Sequence, residues 1–269
     1  MSASGLIRDG VALRVDDAGG PGLPVIFQHG LCGDAGQTAE AFPKDPLFRR
    51  ITLECRGHGA SEAGDVAAFS IATFADDLAA LIERDALAPL VIGGISMGAA
   101  IALRLAVRRP DLVRGLILAR PAWVTRSAPD NMAPNLEVGR LLAALPGDEA
   151  RTVFLRGDCA RRLAATAPDN LASLESFFAR EPKAVTAALL RTIPAEGPGI
   201  SDDEARAVRA PTLVIGHGRD AIHPLTHAQA LAALIPGARL VTITPKADDR
   251  ARYVLDFRAA LSGFLKEFL

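Results

Sequence analysis

Short apolar runs alternate with helix-spaced apolar stripes along most of the chain, and this alternation predicts a mostly parallel, doubly wound sheet with helices on both faces. Val11–Val15 alternates residue by residue, as a half-buried antiparallel strand does. Pro24–Gln28 and Ile51–Glu54 read as buried strands on either side of a helical stretch, Ala35–Phe42. Within Ser70–Leu87, the residues Ile71, Phe74, Leu78, Leu81 and Ile82 fall on one helical face. Pro89–Ile95 is the next strand, followed by the helix Ala99–Arg109 and the strand Val113–Leu118. Pro211–Ile215 and Arg239–Thr244 complete the sheet, with a helix at Thr226–Leu234 between them. A last helix, Arg250–Phe268, sets Tyr253, Phe257, Leu261 and Phe264 on one side.

Residues 123–208 break the alternation. They contain no convincing strand, but helix-like runs at Leu136–Leu145, Glu149–Cys159, Leu171–Ala179 and Lys183–Arg191, with prolines at the joints. A crossover between parallel strands needs only about a dozen residues. The segment is therefore expected to be a helical lid inserted over the strand ends, in preference to ordinary crossover helices. The core then comprises residues 1–122 and 209–269. Leu141, Leu142, Phe177 and Phe178 in the lid predict an apolar cavity beneath it.

Composition narrows the class. A chain of 269 residues that is 49% hydrophobic can bury one large α/β core. A formal net charge of -1, without a block of like charges, makes nucleic acid and anionic membranes poor partners. No apolar run approaches the roughly 20 residues that span a bilayer, and the N-terminus lacks the apolar core of a signal peptide. The three cysteines, Cys32, Cys55 and Cys159, have no metal-type spacing, and an odd count suits a reducing, cytoplasmic setting. No phosphate loop, metal-ligand cluster or flavin signature is present, so neither a metal nor a cofactor is expected.

The densest chemical signal is Gly94-Ile95-Ser96-Met97-Gly98, where a strand runs straight into a helix. Such a turn is a nucleophile elbow: it pushes the serine Oγ clear of the backbone, and side chains at the flanking glycines would collide with neighbouring elements. After the strand Pro24–Gln28 comes His29-Gly30-Leu31, where an acyl-transfer enzyme of this layout places half of its oxyanion hole. The backbone N–H groups of Leu31 and Met97 are the expected donors. The His29 side chain is a pocket candidate, set against the simpler reading that it hydrogen-bonds the loop. Trp123 is likewise either a pocket residue or a packing residue at the lid hinge. Cys32 and Cys55 read as small buried hydrophobes. Arg120 and Arg126 are candidates to meet a substrate carboxylate, against the commoner case of exposed arginines. Asp220, on the loop after Pro211–Ile215, is well placed as the acid that orients a base.

These motifs resemble the α/β-hydrolase family: the His29-Gly30 loop, the turn Arg56-Gly57-His58-Gly59, the Gly94–Gly98 elbow and the loop ending in Asp220 occur in that family's order and spacing. The resemblance covers the whole chain, with Trp123–Val208 in the usual place of a lid. It implies the fold and a serine nucleophile, and less about the substrate.

One element departs from the pattern. The family's histidine follows the last strand, but here that loop reads Thr244-Pro245-Lys246-Ala247-Asp248-Asp249-Arg250, and no histidine follows His227. Four readings remain open. His223, three residues beyond Asp220, takes over as base. Lys246 serves as base, which requires desolvation against the pull of two adjacent aspartates. Asp248 or Asp249 serves, although a carboxylate is a weak base toward a hydroxyl. Or the serine no longer turns over, and the protein binds a small apolar ligand. The expectation is a serine hydrolase of a small ester, thioester or lactone, with Ser96, Asp220 and His223 as its catalytic residues. A catalytically impaired relative and a non-hydrolytic lyase are the alternatives.

Overall fold

The computed structural model describes residues 3–269; Met1 and Ser2, inside the expected core range, lie outside the described residues. Eight strands form one sheet: β1 (Ala3–Arg8), β2 (Val11–Asp17), β3 (Leu23–Gln28), β4 (Phe48–Leu53), β5 (Leu90–Ile95), β6 (Val113–Ala119), β7 (Thr212–Gly216) and β8 (Arg239–Thr242). Their spatial order is β1-β2-β4-β3-β5-β6-β7-β8. The first two are antiparallel to their neighbours, and every pairing from β4 to β8 is parallel. β1 was not anticipated, because Ala3-Ser4-Gly5 carries no apolar alternation. The Asp9-Gly10 turn holds it to β2, with both residues at positive φ as a tight hairpin requires.

The helices of the core are α1 (Ala35–Ala41), α2 (Ile71–Arg84) and α3 (Met97–Arg108). Between β6 and β7 lie α4 (Ala133–Ala144), α5 (Gly147–Arg156), α6 (Asp158–Thr166), α7 (Pro168–Phe177), α8 (Lys183–Thr192) and α9 (Asp202–Arg206). Then come α10 (Leu225–Leu234) and α11 (Arg250–Leu265). Residues 123–208 contain no strand, as expected. The run expected as one helix at Glu149–Cys159 is two, broken where Gly157 turns extended. α9 was also missed; Ser201 and Glu204 start it with a reciprocal capping box.

Side-chain alternation in the parallel strands divides the core. Val25, Phe27, Val91 and Ile117 face α11 and its Phe257, Leu261 and Phe264. Ile26, Ile92, Leu116 and Leu118 face the other way, toward Phe74 and Leu78 of α2 and Ile101 of α3. Full burial of each such side chain is worth about 1.5–3 kcal/mol, so the two faces fix the strand register and with it where each strand ends. In open parallel sheets the ligand site lies beyond the carboxyl ends of the strands. Here Gly30 follows β3, Ser96 follows β5, Arg120 follows β6, Asp220 follows β7 and Lys246 follows β8.

Candidate active site

Ser96 sits between β5 and α3 with φ 56° and ψ -110°, a backbone conformation that costs energy for any residue with a Cβ. Crowding keeps it there. A Cβ on Gly98 would lie 2.4 Å from the Gln28 carbonyl oxygen, and one on Gly94 would lie 2.6 Å from the Gly98 backbone. Only glycines let the turn close against β3. The Ser96 N–H donates to Ala119 O at 2.9 Å. Although Ser96 stands at the N-cap of α3, its side chain makes no capping bond, so Oγ is not spent on the helix.

The loop after β3 is held from three directions. The Gly30 N–H donates to Gln37 Oε1 at 2.6 Å, and the Gly30 carbonyl accepts from Gly33 N–H at 2.9 Å. His29 contacts the same carbonyl through Nδ1 at 2.8 Å, while its Nε2 accepts from Cys55 N–H at 3.1 Å. Those partners settle the tautomer: Nδ1 carries the proton. His29 is fully buried, with its ring 4.8 Å from that of His58. Burial pulls both imidazoles below their usual values. Burial likewise pushes the Cys32 thiol up to about 12 and raises Cys55, in keeping with small apolar roles.

A cavity of about 100 Å³ lies over Ser96. From the strand ends it is walled by Leu31, Ser96, Arg120, His223 and Lys246, and from α1 by Gln37. From the helical insertion Asn135, Asn170, Ser173, Leu174 and Phe177 reach it. Three sequence expectations need correction. His29 is not on the wall, since its ring is spent bracing the loop from below. Nor is Trp123, whose Nε1 donates to Glu196 O at 2.7 Å and ties the two ends of the insertion together. The cavity is also more polar than an apolar lid implied: Phe177 reaches it, but Leu142 and Phe178 are buried within the hydrophobic core. Met97 points its side chain into the core, leaving only its backbone N–H beside Ser96.

Asp220 and His223 come together as the spacing suggested. Asp220 is completely buried as a side chain. Its carboxylate lies 3.0 Å from His223 Nδ1 and accepts the His223 N–H at 2.9 Å. It also takes two bonds from Arg120, Nε at 3.0 Å and Nη2 at 2.6 Å. Burial alone would raise the Asp220 carboxyl, but Arg120 and then His223 outweigh it and hold it well below the usual carboxylate range. For His223 burial is the largest influence and lowers its value; Asp220 pushes back and Arg120 pulls down again. Arg120 Nη2 also approaches Nδ1 at 3.2 Å. Because that nitrogen already donates to Asp220 and the carboxylate is ionised, Nδ1–H is the favoured tautomer. Nε2 then carries the lone pair and has no partner among the described residues.

Arg120, expected either to meet a substrate carboxylate or to be an exposed arginine, is instead buried and spent on Asp220. It takes up φ 46° immediately after β6, donates to Tyr253 Oη at 3.3 Å and is committed to Asp220. Nothing local in Ala119-Arg120-Pro121 announces that pairing. Arg126 is exposed and off the cavity wall. In the β8 loop, Asp248 pairs with Arg219 and Asp249 caps α11, accepting Arg252 N–H at 2.9 Å. Neither aspartate reaches the cavity, which removes the third reading of the base. Lys246 does reach it. Burial, and next Arg120, pull its ammonium below the usual lysine value, and the charges that push it up are Asp169 and Glu40, not the adjacent aspartates.

A family model described as alpha/beta hydrolase fold matches residues 24–247. A pimeloyl-acyl-carrier-protein methyl ester esterase of Neisseria meningitidis is 31% identical over 227 residues, covering 81% of this chain and 83% of that protein. RutD of Klebsiella pneumoniae, named as a candidate carbamate hydrolase, is 28% identical over 85% of this chain and 86% of its own length. Among solved structures, a thermophilic esterase from Thermogutta terrifontis superposes with TM-score 0.72 at 26% identity, covering 97% of each chain. These relatives carry hydrolase names, which supports a general hydrolase role.

Proposed function

The chain belongs to the α/β-hydrolase fold family, and from that premise we propose that it is a serine hydrolase of small esters, thioesters or lactones. One observation supports this most: Ser96 and His223 wall the same cavity, and His223 Nδ1 lies 3.0 Å from a buried, ionised Asp220. In this reading Ser96 Oγ attacks the acyl carbon and passes its proton to His223 Nε2. The oxyanion is held by the N–H groups of Leu31 and Met97, the latter at the positive end of α3. His223 then protonates the leaving group, and the acyl-serine is hydrolysed by a water that His223 deprotonates in turn. Asp220 fixes the tautomer and offsets the imidazolium charge. The helices between β6 and β7 serve as the lid; Asn170 of α7 accepts from Ala221 N–H at 2.7 Å and so ties them to the Asp220–His223 loop.

The test is hydrolysis of p-nitrophenyl acetate by wild type, Ser96→Ala and His223→Ala. A general base contributes about 10²–10⁴-fold, and a nucleophile at least as much. Both variants are expected to lose at least about a hundredfold in kcat/KM, and Ser96→Ala to lose labelling by a fluorophosphonate. Full turnover in His223→Ala would reject the base assignment. Absent turnover together with absent labelling of the wild type would favour a ligand-binding protein.

A further inference from the structure

We propose that the acyl substrate carries a carboxylate, whose charge Lys246 holds on the cavity wall supplied by the loop after β8; this rests on Ser96 acting on a small acyl compound. Lys246 occupies the loop after β8, and that loop is fixed: Asp248 N–H and Asp249 N–H both donate to the Pro245 carbonyl, at 3.0 and 3.2 Å. Thr244 Oγ1 anchors its start to Asp256 at 2.7 Å. The ammonium is partly desolvated at the cavity that Ser96 also lines, yet no carboxylate lies within 4.0 Å of it among the described residues. A desolvated cation without a partner is costly unless something supplies one.

The other charges near Lys246 do not. Arg120 is a second cation, neutralised by Asp220 at 2.6 Å. Asp169, at the start of α7, and Glu40 face Lys246 with the opposite sign. Glu40 is paired with Arg250 at 2.6 Å. Asp169 has both oxygens buried and unbonded, but it is not on the cavity wall and lies beyond ion-pair range of the ammonium.

A second residue points independently to a polar ligand. Asn135 of α4 lines the cavity, is 5% exposed, and leaves Oδ1 buried without a hydrogen-bond partner. Nδ2 of the same amide makes no hydrogen bond among the described residues and is not shut off as Oδ1 is, so it is free to donate to a ligand. An amide and an ammonium lining one cavity suit one end of an anion, while the Leu31 and Met97 N–H groups take the acyl oxygen. A volume of about 100 Å³ is small beside the roughly 300–1,000 Å³ of common ligand pockets, which favours a short chain between the two ends.

The experiment compares monomethyl succinate with methyl 4-methylpentanoate, in which an isopropyl group of the same shape replaces the carboxylate, on wild type, Lys246→Met and Lys246→Arg. Wild type is expected to prefer the anionic ester in kcat/KM. That preference should fall at least about tenfold in Lys246→Met, through KM, and return in Lys246→Arg. Succinate binding to Ser96→Ala, followed by calorimetry, should weaken at least about tenfold when Lys246→Met is added. No preference in wild type, or equal losses on both esters, overturns the proposal; the second result would make Lys246 part of the acid–base chemistry. The calorimetric arm needs no turnover. If Ser96 proves unreactive while succinate still binds through Lys246, the hydrolase reading fails and the anion site stands; if esters turn over but succinate binding ignores Lys246, the reverse holds.

Discussion

On the nucleophile side of the cavity, Ser96 is placed by backbone against backbone: two glycines, the Gln28 carbonyl and the N–H bond to Ala119. On the acid side, Asp220 is placed by side chains drawn from distant parts of the chain. Arg120, 100 positions away, supplies two bonds, and Tyr253, 133 positions from Arg120, orients that guanidinium. The first arrangement tolerates no added atoms but needs no partner residue. The second rests on charge instead of close packing, and fails if one charge is removed. Backbone placement is therefore written in a short motif, whereas charge placement is spread over three loops.

The comparison can be broken most severely on the acid side. Arg120→Met leaves Asp220 buried with only His223 as a bonded partner, and removing one member of a buried pair costs about 3–5 kcal/mol. Urea unfolding should show that loss; a change under about 1 kcal/mol would mean the corner does not depend on Arg120. On the nucleophile side, Gly98→Ala forces a methyl group against the Gln28 carbonyl, and overpacking of this kind costs about 1–3 kcal/mol. Unfolding midpoints equal to wild type would show that the elbow can relax. A milder probe is Gln37→Ala, which removes the acceptor for Gly30 N–H next to the oxyanion donor. A drop of about tenfold in kcat, or about 1.4 kcal/mol, is expected for p-nitrophenyl acetate.

The smallest effect is in the pH profile. A base must be unprotonated, and the His223 value is lowered by burial, so more of it is neutral at any given pH than for a free imidazole. The acid limb of kcat/KM should therefore have its midpoint below about 6.5, with activity at that pH still above half its plateau. A midpoint above 6.5 would mean that the Asp220 charge prevails over burial and Arg120.

Much of the fold was legible because strands and helices announce themselves by period. The parallel strands and their helices fall within a few residues of where alternation and helical spacing put them. β1 escaped because its residues are small and polar, and its pairing with β2 comes from the Asp9-Gly10 turn. The break at Gly157 escaped because apolar spacing continues across it. In the site, Ser96 and the His29-Gly30 loop were legible from local motifs. The sequence favoured an apolar cavity, since Leu and Phe abound in the insertion, but a helix buries some faces within the core and shows others to the cavity. Asn135 and Asn170 are on the second kind of face.

By itself, then, the sequence determined most of the strands and helices and the strained turn that presents Ser96. Each of these depends on residues adjacent in the chain, through φ/ψ preference and side-chain period. Only the tertiary structure decided that Arg120 grips Asp220, that Asp248 and Asp249 turn away while Lys246 turns in, and that His29 braces the loop instead of lining the cavity. Those outcomes depend on which side chains meet across tens to a hundred positions, and on which charges burial leaves without water.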